Sequence, residues 1–498
     1  MPVTCQQMQQ LEAAAFARGV SARDLMEQAG VGISEIVRQF FPRPGTAVLY
    51  LGKGNNAGDA LVAGRELRRH GWQLAARLSC EPDQFKDLPR EHWEMLQPWV
   101  QRWDSSAPAS HARGPLVLLD GLLGIGASGA MKGTLRELAA DMNALRSELH
   151  ATTIAMDIPS GLDGDTGVPG EDAVVADVTA TVAQVKAGLL ADAAAHHVGR
   201  LALVPLADLR VEGEKEVEIV TPELLRPLMP RRSFDMHKGQ AGRVALVAGS
   251  RGYLGAAVLA SLGALRGGAG LITLLAMERD YDLLAMKVPP EVMVRPVEDY
   301  AEAMNGFDVI AVGPGLGADH DRAVLEIVHD ASQPVVVDAD AINAMARHGI
   351  GRFRGPRLLT PHPGEMNRLL AARGDWLSLD RRGQAEAFAA HHDATLLLKG
   401  SRTVIATAQH PTRFNTTGSP GMASGGMGDV LTGLTAALVA QRMSLHDAAS
   451  AGSWLLGRAA EIAISSGACS MESLAATDVA AHLGAAFDAL KGNASAPW

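Results

Sequence analysis

The segment Asn415-Thr-Thr-Gly-Ser-Pro-Gly-Met-Ala-Ser-Gly-Gly-Met-Gly-Asp-Val-Leu-Thr-Gly433 gathers the residue types that phosphoryl chemistry needs. Gly425, Gly426 and Gly428 carry no side chains, so a ligand can approach the backbone closely there. The apolar spacing that follows predicts a helix over 430–442, with its free amides and dipole facing that turn. Such a terminus binds phosphate without a cationic side chain. Asp429 falls in the first turn, where it can take a proton from a hydroxyl held beside the phosphate. Taken alone, the pattern also fits tight helix packing with Asp429 as a dipole partner.

A second constellation lies in the first half. Asn55-Asn-Ala-Gly-Asp59 follows an apolar run over 46–51 and precedes helical spacing over 61–70. Its backbone amides suit a phosphate or ribose, and its Asn and Asp oxygens suit a cation. The bland alternative is a solvated turn with an Asx cap. Asp120 and Asp157 end two further apolar runs, 115–120 and 152–157, each followed by a turn containing Gly. Strands that end in Asp or Gly loops and alternate with helices predict a parallel sheet with its crevice at the carboxyl ends.

The elements that must hold these groups form two series. Over 206–236 the alternation breaks into a charged stretch and a Pro- and Arg-rich stretch, the best boundary in the chain. Strands are then expected at 243–249, 308–312, 334–338, 357–360 and 395–399, with a helix over 257–265. The expected fold class is α/β, with two α/β domains at 1–215 and 225–495. Apolar residues at 47% and charged residues at 20% supply ample core, and aromatics at 4% argue against an aromatic-rich sandwich. A net charge of -10 without a basic stripe disfavours nucleic acid and anionic membrane surfaces. Cys5, Cys80 and Cys469 form neither a metal spacing nor a disulfide framework. Lacking an apolar run of about 18 residues or a signal-like start, the chain is expected to be cytoplasmic with no membrane span.

The long Asn415–Gly433 run resembles the ribokinase-like superfamily and, more closely, the nucleotide-dependent NAD(P)H-hydrate dehydratases. His237-Lys-Gly, Gly252-Tyr-Leu-Gly-Ala256, Gly313-Pro-Gly-Leu-Gly317, Asp338-Ala-Asp-Ala and His362-Pro-Gly-Glu365 follow that family's order. Ser419, Ser424 and Met427 depart from it, where Asn, Thr and Thr are usual. The first half resembles the NAD(P)H-hydrate epimerase domain through Met26-Glu-Gln-Ala-Gly30, Gly52-Lys-Gly-Asn-Asn-Ala-Gly-Asp59, Asp120-Gly-Leu-Leu-Gly-Ile-Gly126 and Asp157-Ile-Pro-Ser-Gly-Leu-Asp163. The resemblance implies a Rossmann-like three-layer domain followed by a ribokinase-like one.

It also implies roles. Asp429 would be the base of the second half, with Gly425, Gly426 and Gly428 at the nucleotide phosphates. Lys399, Gly400, Ser401, Arg402 and Thr403 would hold the nucleotide. Ala256, Gly315, Gly317 and His362 would line the hydrated nicotinamide, although His362 and Glu365 also read as a turn histidine and a helix cap. In the first half, Asn55, Asn56, Ala57, Gly58, Asp59, Gly124, Ile125, Gly126, Ala127, Ser128, Gly129 and Ala130 would contact substrate, with Asp157 transferring protons. Asn56, Asp120 and Ser160 would hold K+. Lys186 reads equally as a surface lysine or a functional one.

The implied activity is repair of hydrated nicotinamide cofactors, NADHX and NADPHX. One half would epimerise the R and S forms, and the other would dehydrate the S form. There ADP, or ATP, would phosphorylate the C6 hydroxyl with Mg2+ bridging phosphates. The alternative is a ribokinase-like small-molecule kinase with a non-catalytic N-terminal binding domain. The resemblance also implies a homo-oligomer.

Overall fold

The computed structural model describes residues 2–103, 112–127, 129–211 and 216–492. The chain divides into two compact units, Met1–Glu214 and Lys215–Trp498. Both are α/β units built on largely parallel sheets, as expected from the alternation of elements. Among the described residues no helix is long and apolar enough to cross a membrane. Cys5, Cys80 and Cys469 are all free.

The first unit opens with helices α1 (Cys5–Ala17) and α2 (Ala22–Phe40). Its strands are β1 (Thr46–Leu51), β2 (Gln73–Leu78), β3 (Val100–Arg102), β4 (Leu116–Gly121), β5 (Thr152–Met156), β6 (Val178–Val182) and β7 (Arg200–Val204). They form one parallel sheet in the order β3-β2-β1-β4-β5-β6-β7. The chain works outward from β1 to β3, then returns to β4 beside β1. That reversal opens a crevice at the carboxyl ends of β1 and β4. Successive residues of the central strands bury on opposite faces. Leu49 and Leu51 join one apolar layer, while Val48 and Tyr50 join the other, packed under α4 (Thr134–Leu149). Unbroken burial along β1 is what a sheet covered on both sides requires.

Helix α3 (Asn55–Arg69) begins earlier than the 61–70 helix expected from the sequence. Asn55 to Asp59 are therefore its first residues, not a loop ahead of it. The polar side chains hid the helical period at this end: Asn55 is exposed, but Asn56 is buried and Asp59 half-buried, so polar groups fall on the inward face as well.

The second unit has a ten-stranded sheet in the order β11-β10-β9-β12-β13-β14-β15-β16-β17-β8. Its strands are β8 (Val217–Ile219), β9 (Arg243–Val247), β10 (Leu271–Met277), β11 (Met293–Val297), β12 (Val309–Val312), β13 (Val335–Val337), β14 (Arg357–Leu359), β15 (Thr395–Leu398), β16 (Thr403–Ala406) and β17 (Thr412–Asn415). The pairs from β11 to β15 are parallel, β15-β16-β17 is an antiparallel meander, and β8 adds parallel to β17. Thus part of the stretch read as a boundary supplies an edge strand to the second sheet.

Two helices, α5 (Leu254–Arg266) and α8 (Met427–Ala440), cross over this sheet in close contact. A Cβ at Gly433 would overlap the Ala260 carbonyl, and one at Gly263 would overlap the Val430 carbonyl. Some glycines of the long motif therefore serve packing. Others serve the site.

Candidate functional site

Helix α8 starts at the Gly-rich turn, three residues before the expected 430, so Gly428 and Asp429 lie in its first turn. Gly426 is its N-cap, in the left-handed region at φ 91°, and no side chain caps the terminus. The first amides and the positive end of the dipole are left for a ligand. A Cβ on Gly428 would lie 3.2 Å from Lys399 Nζ and 3.5 Å from Asp338 Oδ2. Removing that side chain leaves the helix entrance open towards one ammonium.

Asp338 organises the surrounding charges. It is 1% exposed; Lys399 Nζ donates to its Oδ1 at 2.8 Å and Thr432 Oγ1 donates to its Oδ2 at 2.8 Å. Glu365 Oε2 lies 3.9 Å from the same ammonium. Burial pulls the Lys399 ammonium down, but Asp338 and Glu365 outweigh it and hold it above the ordinary lysine value. Burial, then repulsion from Asp338, pushes Asp429 up to about 7, against the opposing pull of Lys399. A carboxyl poised near neutrality is suited to accept a proton at physiological pH.

The other expected positions surround this hub. Gly315, at φ 64°, lies against Ala256: a Cβ there would be 2.8 Å from the Ala256 Cβ. Gly317 N donates to Asp340 Oδ2 at 2.9 Å, and Ala339, between Asp338 and Asp340, is held at φ 49°. Such strain concentrates where a site dictates the backbone. His362 caps helix α6 (Pro363–Leu369): its Nδ1 accepts from Gly364 N at 3.0 Å, and Glu365 Oε2 accepts from His362 N at 2.8 Å. The capping reading of Glu365 is thus realised, and His362 remains half exposed beside it. Burial raises the Glu365 carboxyl above its ordinary range, with Lys399 opposing.

The Lys399–Thr403 loop joins β15 to β16. Arg381, which starts helix α7 (Arg381–His392), braces it by donating to Leu398 O, Lys399 O and Arg402 O at 3.2, 3.0 and 3.1 Å. Gly400 faces this guanidinium, Ser401 is exposed, and Thr403 Oγ1 donates to Gly400 O at 3.2 Å. Arg402 is buried at 2% exposure. Of the three departures, Met427 is buried in the core, Ser419 Oγ accepts from Gly421 N, and Ser424 Oγ donates to Leu474 O. Gly425 is exposed with open space where a Cβ would be.

In the first unit, Asp120 at the end of β4 is fully buried. Its Oδ1 accepts from Ser160 Oγ at 2.6 Å and its Oδ2 from Ser160 N at 2.8 Å. Asn56 Nδ2 donates to Leu123 O at 2.7 Å, and Leu123 N donates to Ser160 Oγ at 2.9 Å. Asn56 and Ser160 therefore meet at Leu123, and Asp120 joins them through Ser160. Burial pushes Asp120 up to about 6, against the hydrogen bonds from Ser160.

Asp157 follows β5 with φ 65°, again a strained position for a residue with a side chain. Its Oδ1 accepts from Val182 N at 2.9 Å, from Thr181 Oγ1 at 3.2 Å, and from the Lys186 ammonium. Among the described residues no donor reaches its Oδ2. Lys186 is 1% exposed and also donates to Val182 O at 3.0 Å, so it is an interior partner of Asp157 and not a surface lysine. Burial, then repulsion from Asp157 and Glu12, raises Asp59 well above the ordinary range. Of its helix neighbours, Asn55 is exposed, Ala57 is buried, and Gly58 packs on Met26. Gly124 lies against Asn56, Ile125 leans on the core, and Gly126, Ala127, Gly129 and Ala130 are on or near the exposed rim. Ser128 lies outside the described residues.

The sequence reading gave Glu12 no role and quoted Asp338 and Asp340 only as motif residues, without a role. The strand-end position of Asp338 was a usable signal; Glu12 offered only its place on an N-terminal helix.

The two units make a two-site α/β enzyme, one crevice lined by buried oxygens and one helix entrance suited to phosphate. Residues 244–481 match the family described as NAD(P)H-hydrate dehydratase, and residues 22–188 match the family described as YjeF-related protein N-terminus. The bifunctional NAD(P)H-hydrate repair enzyme Nnr of Moorella thermoacetica is 35% identical over 466 residues, covering 88% of this chain and 87% of that protein. Its Escherichia coli counterpart is 33% identical over 458 residues, covering 90% and 87%. A crystal structure of the ADP/ATP-dependent NAD(P)H-hydrate dehydratase from Bacillus subtilis is 31% identical, with a TM-score of 0.49, covering 55% of this chain and 98% of that one. The chain belongs to the bifunctional NAD(P)H-hydrate repair enzymes.

Proposed function

We propose that the second unit dehydrates the S form of hydrated NADH or NADPH at the expense of ADP or ATP, and that the first unit interconverts the R and S forms. The carrying observation is Asp429, held near neutrality beside an uncapped helix terminus whose second residue is glycine. Asp429 takes the proton of the C6 hydroxyl as that oxygen bonds to the terminal phosphorus of the nucleotide and the phosphoanhydride bond breaks, releasing AMP from ADP or ADP from ATP. The amides of the α8 entrance and Lys399 stabilise charge on the transferring group. Phosphate then leaves C6 with its bonding pair as the ring nitrogen lone pair forms the N1–C6 double bond. Loss of a proton from C5 to water, with the C–H pair forming the C5–C6 double bond and the iminium pair returning to N1, restores the dihydronicotinamide. Ala256, Gly315, Gly317 and His362 would face the nicotinamide, and the Lys399–Thr403 loop the nucleotide.

Among the described residues no cluster of three His, Cys, Asp or Glu side chains suits a metal ion. Mg2+ would arrive on the nucleotide phosphates, where it would neutralise charge on the transferring group. The first unit offers a different setting. Asp120 is a buried carboxyl without a Lys, Arg or His partner among the described residues; it is bonded to Ser160 Oγ, which in turn neighbours the Leu123 carbonyl paired with the Asn56 amide. A buried charge needs a counter-charge, and a single carboxyl among neutral oxygens suits a monovalent cation such as K+.

Asp157 is the proton-transfer group of the epimerase. The proposal assigns that activity to residues 1–215 and dehydration to 225–495 together with β8, in a cytoplasmic homo-oligomer. The test is purified protein with hydrated NADH, ADP and Mg2+: absorbance at the reduced-nicotinamide band should return. A stable phosphorylated product without that band would favour a small-molecule kinase instead.

A further inference from the structure

Helix α1 carries a carboxyl to the first-unit crevice. Thr4 caps the helix through a capping box with Gln7. Just before it, Val3 N donates to Val185 O at 2.9 Å and Ala187 N donates to Val3 O at 2.9 Å. The helix is thereby anchored on the segment that bears Lys186, the partner of Asp157. Cys5, Met8, Gln9 and Glu12 follow the spacing of one helix face.

The first three residues of that face are in contact with the unit. Cys5 N donates to Asp165 Oδ1 at 2.6 Å, Met8 is 2% exposed, and Gln9 Nε2 is 4.0 Å from where a Cβ on Gly126 would be. Glu12 stands one turn further along. Among the described residues it has no hydrogen-bond or ion-pair partner, although it is half-buried. Burial, then repulsion from Asp157, raises its carboxyl above the ordinary range, with Lys186 opposing. Asp59 responds to both Asp157 and Glu12 in the same way. Cys5 is pushed up to about 12 by burial and by its hydrogen bond with Asp165, so it stays a neutral thiol. The charged groups coupled to Glu12 are therefore Asp59 on α3, Asp157 after β5, and Lys186.

We propose that Glu12 is the proton donor of the epimerisation, acting on the C6 oxygen from the α1 side while Asp157 acts from the strand side. The inference rests on the epimerase reading of the first unit. The C6 carbon bears both the hydroxyl and the ring nitrogen, so the C6–O bond can break with help from the nitrogen lone pair. Glu12 gives its proton to the hydroxyl oxygen. The C6–O bond then breaks, its electron pair leaves on water, and the N1–C6 double bond forms. Water adds to the opposite face, the new C6–O bond forms, and the double-bond pair returns to N1. Asp157 Oδ2 takes the proton lost by that water. Glu12 has lost one proton and Asp157 has gained one, and exchange with solvent restores both.

The experiment uses the full chain and the separated R form without nucleotide, following the appearance of the S form by chromatography. Glu12→Gln should lower epimerisation about 100-fold, the scale of a lost general acid. Dehydration of the S form by the same protein should be unchanged. Wild-type epimerisation should fall as pH rises through the Glu12 carboxyl, because the donor must be protonated, and that limb should be absent from Glu12→Gln. Glu12→Asp, which keeps a carboxyl, should retain the limb and part of the activity. An active wild type with Glu12→Gln equally active overturns the proposal, as does a Glu12→Asp variant as inactive as Glu12→Gln. A wild type that does not epimerise overturns the epimerase reading itself, and the proposal with it.

Discussion

Buried Asp338 and partly exposed Lys399 form an ion pair at the mouth of α8: Lys399 Nζ donates to Oδ1 at 2.8 Å, while Oδ2 is taken by Thr432 Oγ1 at 2.8 Å. With both oxygens committed, Asp338 fixes the ammonium where a Cβ on Gly428 would otherwise crowd it. The same two charges act on Asp429 in opposite senses, Asp338 raising its carboxyl and Lys399 lowering it. Position and basicity are set by one pair.

The first consequence is a pH dependence. Asp429 acts as a base only when ionised, and its carboxyl is pushed up to about 7. Dehydration should therefore be complete above neutrality and lose about tenfold per pH unit below about 7. Asp429→Asn should reduce kcat/KM by about a thousandfold while epimerisation persists. The sign for stability is the reverse. A carboxyl raised by folding stabilises the fold at low pH and loses that contribution as pH rises through about 7. Asp429→Asn should then melt higher than wild type at neutral pH. An unchanged rate for this variant would remove the catalytic role.

Replacing either member of the pair should move that acid limb in opposite directions. Lys399→Met removes the charge that lowers Asp429, so the limb should shift to higher pH. Asp338→Asn removes the charge that raises it, so the limb should shift lower. Removing Lys399 also strands a buried carboxylate, a change that costs about 3–5 kcal/mol in comparable pairs. Denaturant titration should show that loss, and pH profiles of kcat/KM should show the shifts. Parallel shifts in both variants would contradict the assignment.

Much of this is legible in the sequence, because local chemistry carries it. The Gly-rich turn ahead of an apolar helix marked Asp429, and strand ends marked Asp120 and Asp157. β1 occupies the residues expected of it. What stayed hidden depends on neighbours distant in sequence. Lys186 becomes interior only because β6 lies beside β5 and turns its following segment onto Asp157. Asp338 becomes a hub because β13 ends under α8. The start of α3 was missed because Asn55, Asn56 and Asp59 interrupt its apolar period. β8 looked like a linker because an edge strand of three residues carries almost no alternation.

Gly428→Ala tests the close-approach argument. Gly in a helix costs about 0.5–1 kcal/mol relative to Ala, so the substitution should leave stability equal or slightly higher. The new Cβ would stand 3.2 Å from Lys399 Nζ, in the space left for a phosphate. The expected result is a rise of about tenfold or more in nucleotide KM with no loss in melting temperature. Unaltered nucleotide KM would mean that the phosphate lies elsewhere.

Asp120 tests the cation reading of the first unit. It is fully buried, and its carboxyl is pushed up to about 6 by burial. Above that value it offers one negative charge beside Ser160 Oγ, itself next to the Leu123 carbonyl; below it the charge is neutralised and a cation has no counter-charge. The K+ concentration giving half the maximal epimerisation rate should therefore rise as pH falls through about 6, approaching tenfold per unit. Asp120→Asn should abolish the response to K+ at every pH while S-form dehydration is retained. Ser160→Ala removes one oxygen but not the charge, so it should weaken K+ activation without abolishing it. Titrating K+ against epimerisation for the three proteins separates the contributions, and a K+ response that survives in Asp120→Asn would move the cation away from β4.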